Sequence, residues 1–147
     1  MDIRIRFIEH EGKIPPLPHR ATPGSAGVDL CAMIPEPLTI SPRALVRVPT
    51  GLALELPEDT VGLVYARSGL GTKHGIALSN GVGVIDSDYR GEIAVGLCNL
   101  SDEPFTIQPG DRIAQLVVTP CPPVCFLPAE ELSETARGAG GFGSSGR

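Results

Sequence analysis

The sequence predicts an all-β fold, a jelly-roll-like barrel or sandwich of short strands with little helix. Three observations carry that prediction. Strand-length apolar runs recur at short intervals, and turn signals fall between them. Glycine and proline, 18 and 15 of 147 residues, are too frequent for a helical protein and suit tight turns. Aromatic residues make up only 4%, with no Trp, so the core has to be built from Val, Ile, Leu and Ala.

In chain order the predicted strands are Ile3–Ile8, Gly27–Ala32, Leu38–Ile40, Leu45–Val48, Leu52–Leu56, Val61–Tyr65, Ile93–Leu97 and Ile113–Val118. Thr22-Pro23-Gly24-Ser25, Ser41-Pro42, Pro57-Glu58-Asp59 and Gln108-Pro109-Gly110-Asp111 supply turns between them. Leu52 to Leu56 shows plain period-2 alternation, with its leucines on one face. The apolar run Val82–Ile85 leads into Asp86, Asp88, Tyr89, Arg90 and Gly91, after which Ile93-Ala94-Val95 resumes a strand, the pattern of a hairpin. Helix signal is thin. Ser68–His74 has room for a turn or two, weakened by Gly69 and Gly71, and Ala129–Leu132 is a second short candidate after Pro128. The predicted organisation is a β domain over residues 1–132 and a mobile, Gly-rich tail over 133–147.

Composition narrows function by exclusion. A hydrophobic content of 41% with 20% charged residues belongs to a globular chain. The net charge of −5 speaks against coating a nucleic-acid backbone, while leaving a compact anionic ligand open. No apolar run has the length of a membrane helix, and the start of the chain has no signal-peptide apolar region, so the expected location is cytoplasmic. Cys31 and Cys98 lie within apolar runs and read as small buried hydrophobes. Cys121 and Cys125 have no second ligand pair to complete a zinc site, and the three histidines form no ligand pattern.

Four further segments could bear chemistry. Asp29 is an acid inside the apolar stretch Ala26–Leu30, and a half-buried carboxylate needs a partner. Ala66-Arg67-Ser68-Gly69 follows a strand with the make-up of a phosphate-binding turn at a short helix N-terminus. Gln115 interrupts the strand that begins near Gly110-Asp111-Arg112, which by itself reads as an ordinary outward-facing side chain. In the tail, glycines flank Phe142, with Arg137, Ser144 and Ser145 as potential phosphate donors. The tail also contains a formal G-x-G-x-x-G, but no strand precedes it and no helix can follow. Phe142, one of six aromatic residues, has no core to fill there and suits stacking on a planar ligand.

Together, A-G-V-D-L, A-R-S-G-L-G-T-K-H-G-I, N-G-V-G-V-I-D-S-D-Y-R-G-E, G-D-R-I-A-Q-L and R-G-A-G-G-F-G-S-S-G resemble the ordered motifs of the homotrimeric dUTP diphosphatases, or dUTPases. The resemblance runs from Ala26 to Gly146. Ala66, Gly71 and Val28 depart from the common residues of that family without removing a reacting group. The resemblance implies hydrolysis of dUTP to dUMP and pyrophosphate with Mg²⁺ held largely by the triphosphate, limiting uracil incorporation into DNA and supplying dUMP. It assigns Asp86 to the attacking water. Arg67, Ser68, Gly69, Gln115, Arg137, Ser144 and Ser145 fall to the phosphates. Asn80, Gly83, Val84, Ile85, Tyr89, Phe142 and Gly143 fall to the base and sugar. No direct protein ligand to the metal is implied, with Asp29 reaching it through water. It also implies a homotrimer with shared sites. Two other readings remain beside it. A dCTP deaminase is related in its middle motifs but lacks the Phe-bearing tail. A non-catalytic trimeric nucleotide-binding module would not need Asp86 or Phe142, both present here.

Overall fold

In the computed structural model, which describes residues 1–141, the chain forms ten strands and one helix among those residues. They are β1 (Arg4–Phe7), β2 (Val28–Cys31), β3 (Leu38–Ile40), β4 (Leu45–Glu55), β5 (Thr60–Ala66), α1 (Ser68–His74), β6 (Ile76–Leu78), β7 (Gly83–Ile85), β8 (Ile93–Asn99), β9 (Phe105–Ile107) and β10 (Arg112–Pro120). One sheet has the order β1-β4-β8-β6 and a second β2-β10-β5-β7, while β3 and β9 pair separately. Every pairing is antiparallel. This is the predicted all-β jelly-roll-like sandwich.

Strand alternation builds the core. Along β8, Ile93, Val95, Leu97 and Asn99 are buried while Ala94, Gly96 and Cys98 are half-exposed. Leu52, Leu54 and Leu56 turn inward as their spacing predicts. They meet Leu30, Ile40, Val48, Val64, Ile76, Ile107, Ile113 and Leu116 in one aliphatic cluster. Buried Asn99 is not a packing error. Its amide donates to the carbonyls of Ile40 and Glu103, and its carbonyl accepts from the Ser101 amide and hydroxyl.

Several local expectations need correction. Leu45–Val48 and Leu52–Leu56 are one strand, because Gly51, at φ +69°, absorbs a register shift between Pro49 and Leu52. The run ending at Ile85 and the run starting at Ile93 do not form a hairpin. β7 pairs with β5, whereas β8 lies between β4 and β6, so residues 86–92 cross from one sheet to the other. Ala129–Leu132 is not helical. Four residues cannot offset the cost of nucleating a helix without tertiary packing, and Leu132 is 88% exposed. Cys31 and Cys98 are half-buried rather than fully buried, and all four cysteines are free thiols. Beyond β10 the described chain has no regular element through Gly141, and Val124, Phe126 and Leu127 stand exposed. No described helix is long and apolar enough to cross a membrane.

Candidate active site

The second sheet positions the charged cleft. β2, β10 and β5 are neighbours, and their register sets Gln115 opposite Asp29 on one side and Tyr65 on the other. Leu30, Leu116 and Val64 on the same strands are buried, so Asp29, Gln115 and Tyr65 share the opposite face. The chain then leaves β5 through Arg67 into α1, which brings Arg67, Ser68 and Gly69 to the same place. With Arg112, Ser25 and Ala21 these residues line a cleft of about 380 Å³.

Within it, Asp29 is the organising charge. Its Oδ1 lies 3.0 Å from Arg67 Nε and its Oδ2 accepts from Arg112 Nη1 at 3.3 Å. One carboxylate between two guanidinium groups leaves the cluster with a formal positive charge facing a half-open space. Gln115 Nε2 donates to the Ala66 carbonyl at 3.1 Å, which ties the end of β5 to β10. Among the described residues no side chain caps α1, which leaves its first-turn amides facing outward for an acceptor. Cys31, next to this cluster, has its thiol pKa raised above the usual value, first by burial and then by the Asp29 charge.

The second group of predicted residues lies around β7, at the sheet edge opposite β2. Val84 is exposed and belongs to an edge strand whose free backbone groups alternate donor and acceptor. Gly83 and Ile85 flank it, and Asn80 sits in the preceding turn, where the Gly81 amide donates to Leu78 O and the Val82 amide to Asn80 O. Asp86 is exposed immediately after the strand, with no hydrogen-bonding side chain among the described residues directed at its carboxylate. The Tyr89 amide donates to Asp86 O, and the Tyr89 hydroxyl donates to Glu92 O at 2.9 Å, which folds the ring back over Gly91. A Cβ at Gly91 would lie 2.4 Å from the Tyr89 hydroxyl oxygen, so glycine is what gives the ring its place. Arg90 is spent on the turn itself, donating to the carbonyls of Ser87 and Tyr89.

Thus Asp29, Arg67, Ser68, Gly69 and Gln115 come together, but Asp86 does not join them. Ile85 pairs with Gly62, so Asp86 emerges beside the start of β5, while Arg67 follows its end. Gly62 to Ala66 alone spans roughly 13 Å at about 3.3 Å per residue. That is already farther apart than the α- and γ-phosphorus atoms of one triphosphate. In the tail, Arg137 Nε donates to Gly140 O at 2.8 Å within a local turn. Phe142, Gly143, Ser144 and Ser145 lie outside the described residues. Arg112, in the segment Gly110-Asp111-Arg112, is a cleft residue that the sequence alone does not single out. The available signal was an acid on the neighbouring strand in need of a second cation.

The fold and site define a β-sandwich protein with a cleft where two arginines share one carboxylate, and with a separate turn that exposes Asp86. Residues 14–146 match the family model described as dUTPase. The chain is 55% identical over 145 residues to the deoxyuridine 5′-triphosphate nucleotidohydrolase of Desulfitobacterium hafniense (strain DSM 10664 / DCB-2), covering 98% of this chain and 95% of that one. It is 55% identical over 133 residues to the enzyme of the same name from Coxiella burnetii (strain Dugway 5J108-111), covering 90% and 88%. Among solved structures, the Staphylococcus bacteriophage 80alpha dUTPase with dUPNHPP superposes with a TM-score of 0.88 at 26% identity, covering 99% of both chains. The chain belongs to the dUTPase family, and it is an enzyme of that family.

Proposed function

We propose that this protein hydrolyses dUTP to dUMP and pyrophosphate through in-line attack of an Asp86-oriented water on the α-phosphorus. The observation that carries this reading is the pairing of two arginines with Asp29 beside Ser68, Gly69 and Gln115, in a chain of the dUTPase family. Two guanidinium groups share one carboxylate, so the cleft has positive charge left to offer phosphate oxygens, and the uncapped amides of α1 add donors. Arg137, Ser144 and Ser145 of the tail complete the phosphate contacts. Asp86 is exposed and unencumbered, which suits a group that takes a proton from water. Positioning and charge neutralisation supply most of the rest, since phosphoryl transfer asks for little covalent help.

The edge backbone of Gly83 to Ile85, with Asn80, reads the uracil as a partner base would, and Phe142 with Gly143 closes over it. Tyr89 forms the wall under the deoxyribose that leaves no room for a 2′-hydroxyl. The donor set fits Mg²⁺ only as an ion that arrives with the nucleotide. Among the described residues no three His, Cys, Asp or Glu side chains gather to cage a cation, and both Asp29 oxygens already face guanidinium groups. Asp29 would therefore reach the ion through one of its waters. When bound, Mg²⁺ neutralises phosphate charge.

The site is shared between subunits of a homotrimer on this reading. Supporting it are the separation of Asp86 from Arg67 along β5 and an apolar arm, Val124 to Leu127, that has no core of its own. A cytoplasmic location and a role in supplying dUMP and limiting uracil in DNA fit the same activity. The test is pyrophosphate release from dUTP, dCTP, dTTP and UTP, with and without Mg²⁺. Turnover confined to dUTP and dependent on Mg²⁺ is expected. Equal turnover of UTP would refute the Tyr89 assignment, and ammonia release from dCTP would refute the reaction class.

A further inference from the structure

Glu92 stands where residues 86–92 re-enter the sandwich, and its side chain is only 21% exposed. One oxygen, Oε1, accepts two hydrogen bonds: from the Gly51 amide at 2.7 Å and from His10 Nε2 at 2.8 Å. A carboxylate only accepts, so His10 carries a proton on Nε2. Gly51 is the register-shifting residue of β4, and its carbonyl is taken by the Ile8 amide at 2.7 Å. Its amide, displaced from the ladder, is satisfied by Glu92. On the other side of the same residue, the Glu92 carbonyl accepts from the Tyr89 hydroxyl, and the Tyr89 amide donates to Asp86 O. Glu92 therefore joins the β4 bulge to the Tyr89 ring.

The ring gains little from the core. Tyr89 is 43% exposed, and besides its backbone links the hydroxyl bond to Glu92 O is its one side-chain hydrogen bond among the described residues. Its place thus depends on where the Glu92 backbone is held: Ile93, buried in β8 and accepting from Thr50 Oγ1, anchors one side, and the carboxylate on Gly51 fixes the residue that leads back into the turn. The geometry points to Glu92 as a positioning residue for sugar discrimination: by locking its own carbonyl, it fixes the Tyr89 ring as a rigid wall against a 2′-hydroxyl. This rests on the assignment of Tyr89 to the sugar.

The test compares kcat/KM for dUTP and for UTP in the full-length enzyme carrying Glu92→Ala, Glu92→Gln, Tyr89→Ala or Ile40→Val. Glu92→Ala leaves the Gly51 amide unpaired and frees the turn, and the dUTP/UTP ratio is expected to fall about tenfold, chiefly through gained activity on UTP. Gln keeps an acceptor oxygen in the same place, so Glu92→Gln should hold the ratio within about twofold of the parent. Ile40→Val truncates the core at a buried residue of β3, a strand that pairs with β9 and shares no hydrogen bond with Glu92, Gly51, His10 or Tyr89 among the described residues. It should lower Tm and leave the ratio alone, separating positioning from mere loss of stability. A Glu92→Ala enzyme with an unchanged ratio, while Tyr89→Ala loses it, overturns the positioning role and spares the sugar wall. An unchanged ratio in Tyr89→Ala overturns the sugar wall itself and the positioning role with it. A Glu92→Gln enzyme as unselective as Glu92→Ala overturns the acceptor geometry.

Discussion

Gly91→Ala separates stability from selectivity with a single methyl group. The added Cβ would lie 2.4 Å from the Tyr89 hydroxyl oxygen and 2.6 Å from Cζ, distances at which the ring has to swing away. Its hydroxyl then loses the Glu92 carbonyl. A net hydrogen bond of this kind is worth about 0.5–1.5 kcal/mol, here toward the low end because the ring is half-exposed. Against that, the φ of Gly91 lies outside the left-handed region, so alanine is tolerated by the backbone. Restricting the unfolded chain returns about 0.4–1 kcal/mol. The two effects nearly cancel, and Tm is expected to move by no more than a few degrees. Selectivity has no such compensation. A pocket that excludes one extra group discriminates by roughly 10–200-fold, and a displaced wall gives up most of it. Melting curves together with pyrophosphate release from dUTP and UTP decide the matter. Tm near the parent value with a dUTP/UTP ratio at least about tenfold lower is expected. An unchanged ratio would show that the ring does not bound the sugar, and a Tm lowered by many degrees would show that Gly91 is held for the fold.

Asp86→Asn should keep the melting curve and nucleotide affinity, measured by calorimetry with a non-hydrolysable analogue, while turnover falls about 10²–10⁴-fold; parental pyrophosphate release would sink its assignment. Removing residues 138–147 should leave the circular dichroism spectrum intact and cut kcat severely, with full kcat counting against closure by the tail. Asp29→Asn leaves Arg67 and Arg112 facing each other without a neutralising charge, so both side chains should splay. KM for dUTP should rise about tenfold with a smaller change in kcat, and steady-state kinetics showing only a kcat loss would contradict its organising role. Raising the Cys31 pKa keeps the thiol protonated, and therefore unreactive, to a higher pH than an ordinary cysteine. Labelling with a disulfide reagent followed by mass spectrometry should find Cys121 and Cys125 modified first at pH 8, with Cys31 gaining reactivity only on the alkaline side.

Most strands legible in the sequence have four or more alternating or apolar residues, with three-residue Leu38–Ile40, followed by the Ser41-Pro42 turn, as the exception. Ile76–Leu78 and Phe105–Ile107 are three-residue strands, too short to show a period, and they form only because partners already wait on β8 and β3. Thr39 and Thr106 show the same dependence, since their hydroxyls meet at 2.8 Å only after β3 and β9 have paired. Pro49-Thr50-Gly51 interrupts the apolar pattern and reads as a break between two strands, whereas in the fold the bulge at Gly51 lets one strand run through. Asp29 was visible as an acid that needed a partner, but its partners follow from the β2–β10 register and the exit of β5, and no spacing along the chain encodes those. The same holds for Glu92. Its neighbours His10 and Gly51 are 82 and 41 residues away.

β5 carries Arg67 past one end and sits beside Asp86 at the other, and this arrangement has a genetic consequence. On the shared-site reading, a chain that has lost Asp86 still lends its arginines to a neighbour, and a chain that has lost Arg67 still lends its carboxylate. Two alleles, each inactive alone, would then complement one another when their products mix, with about one site in four assembled from sound parts at equal dosage. Conversely, a single defective copy would spread its damage to sites seated largely on healthy chains. Dominance in such an enzyme is a property of strand geometry before it is a property of expression level.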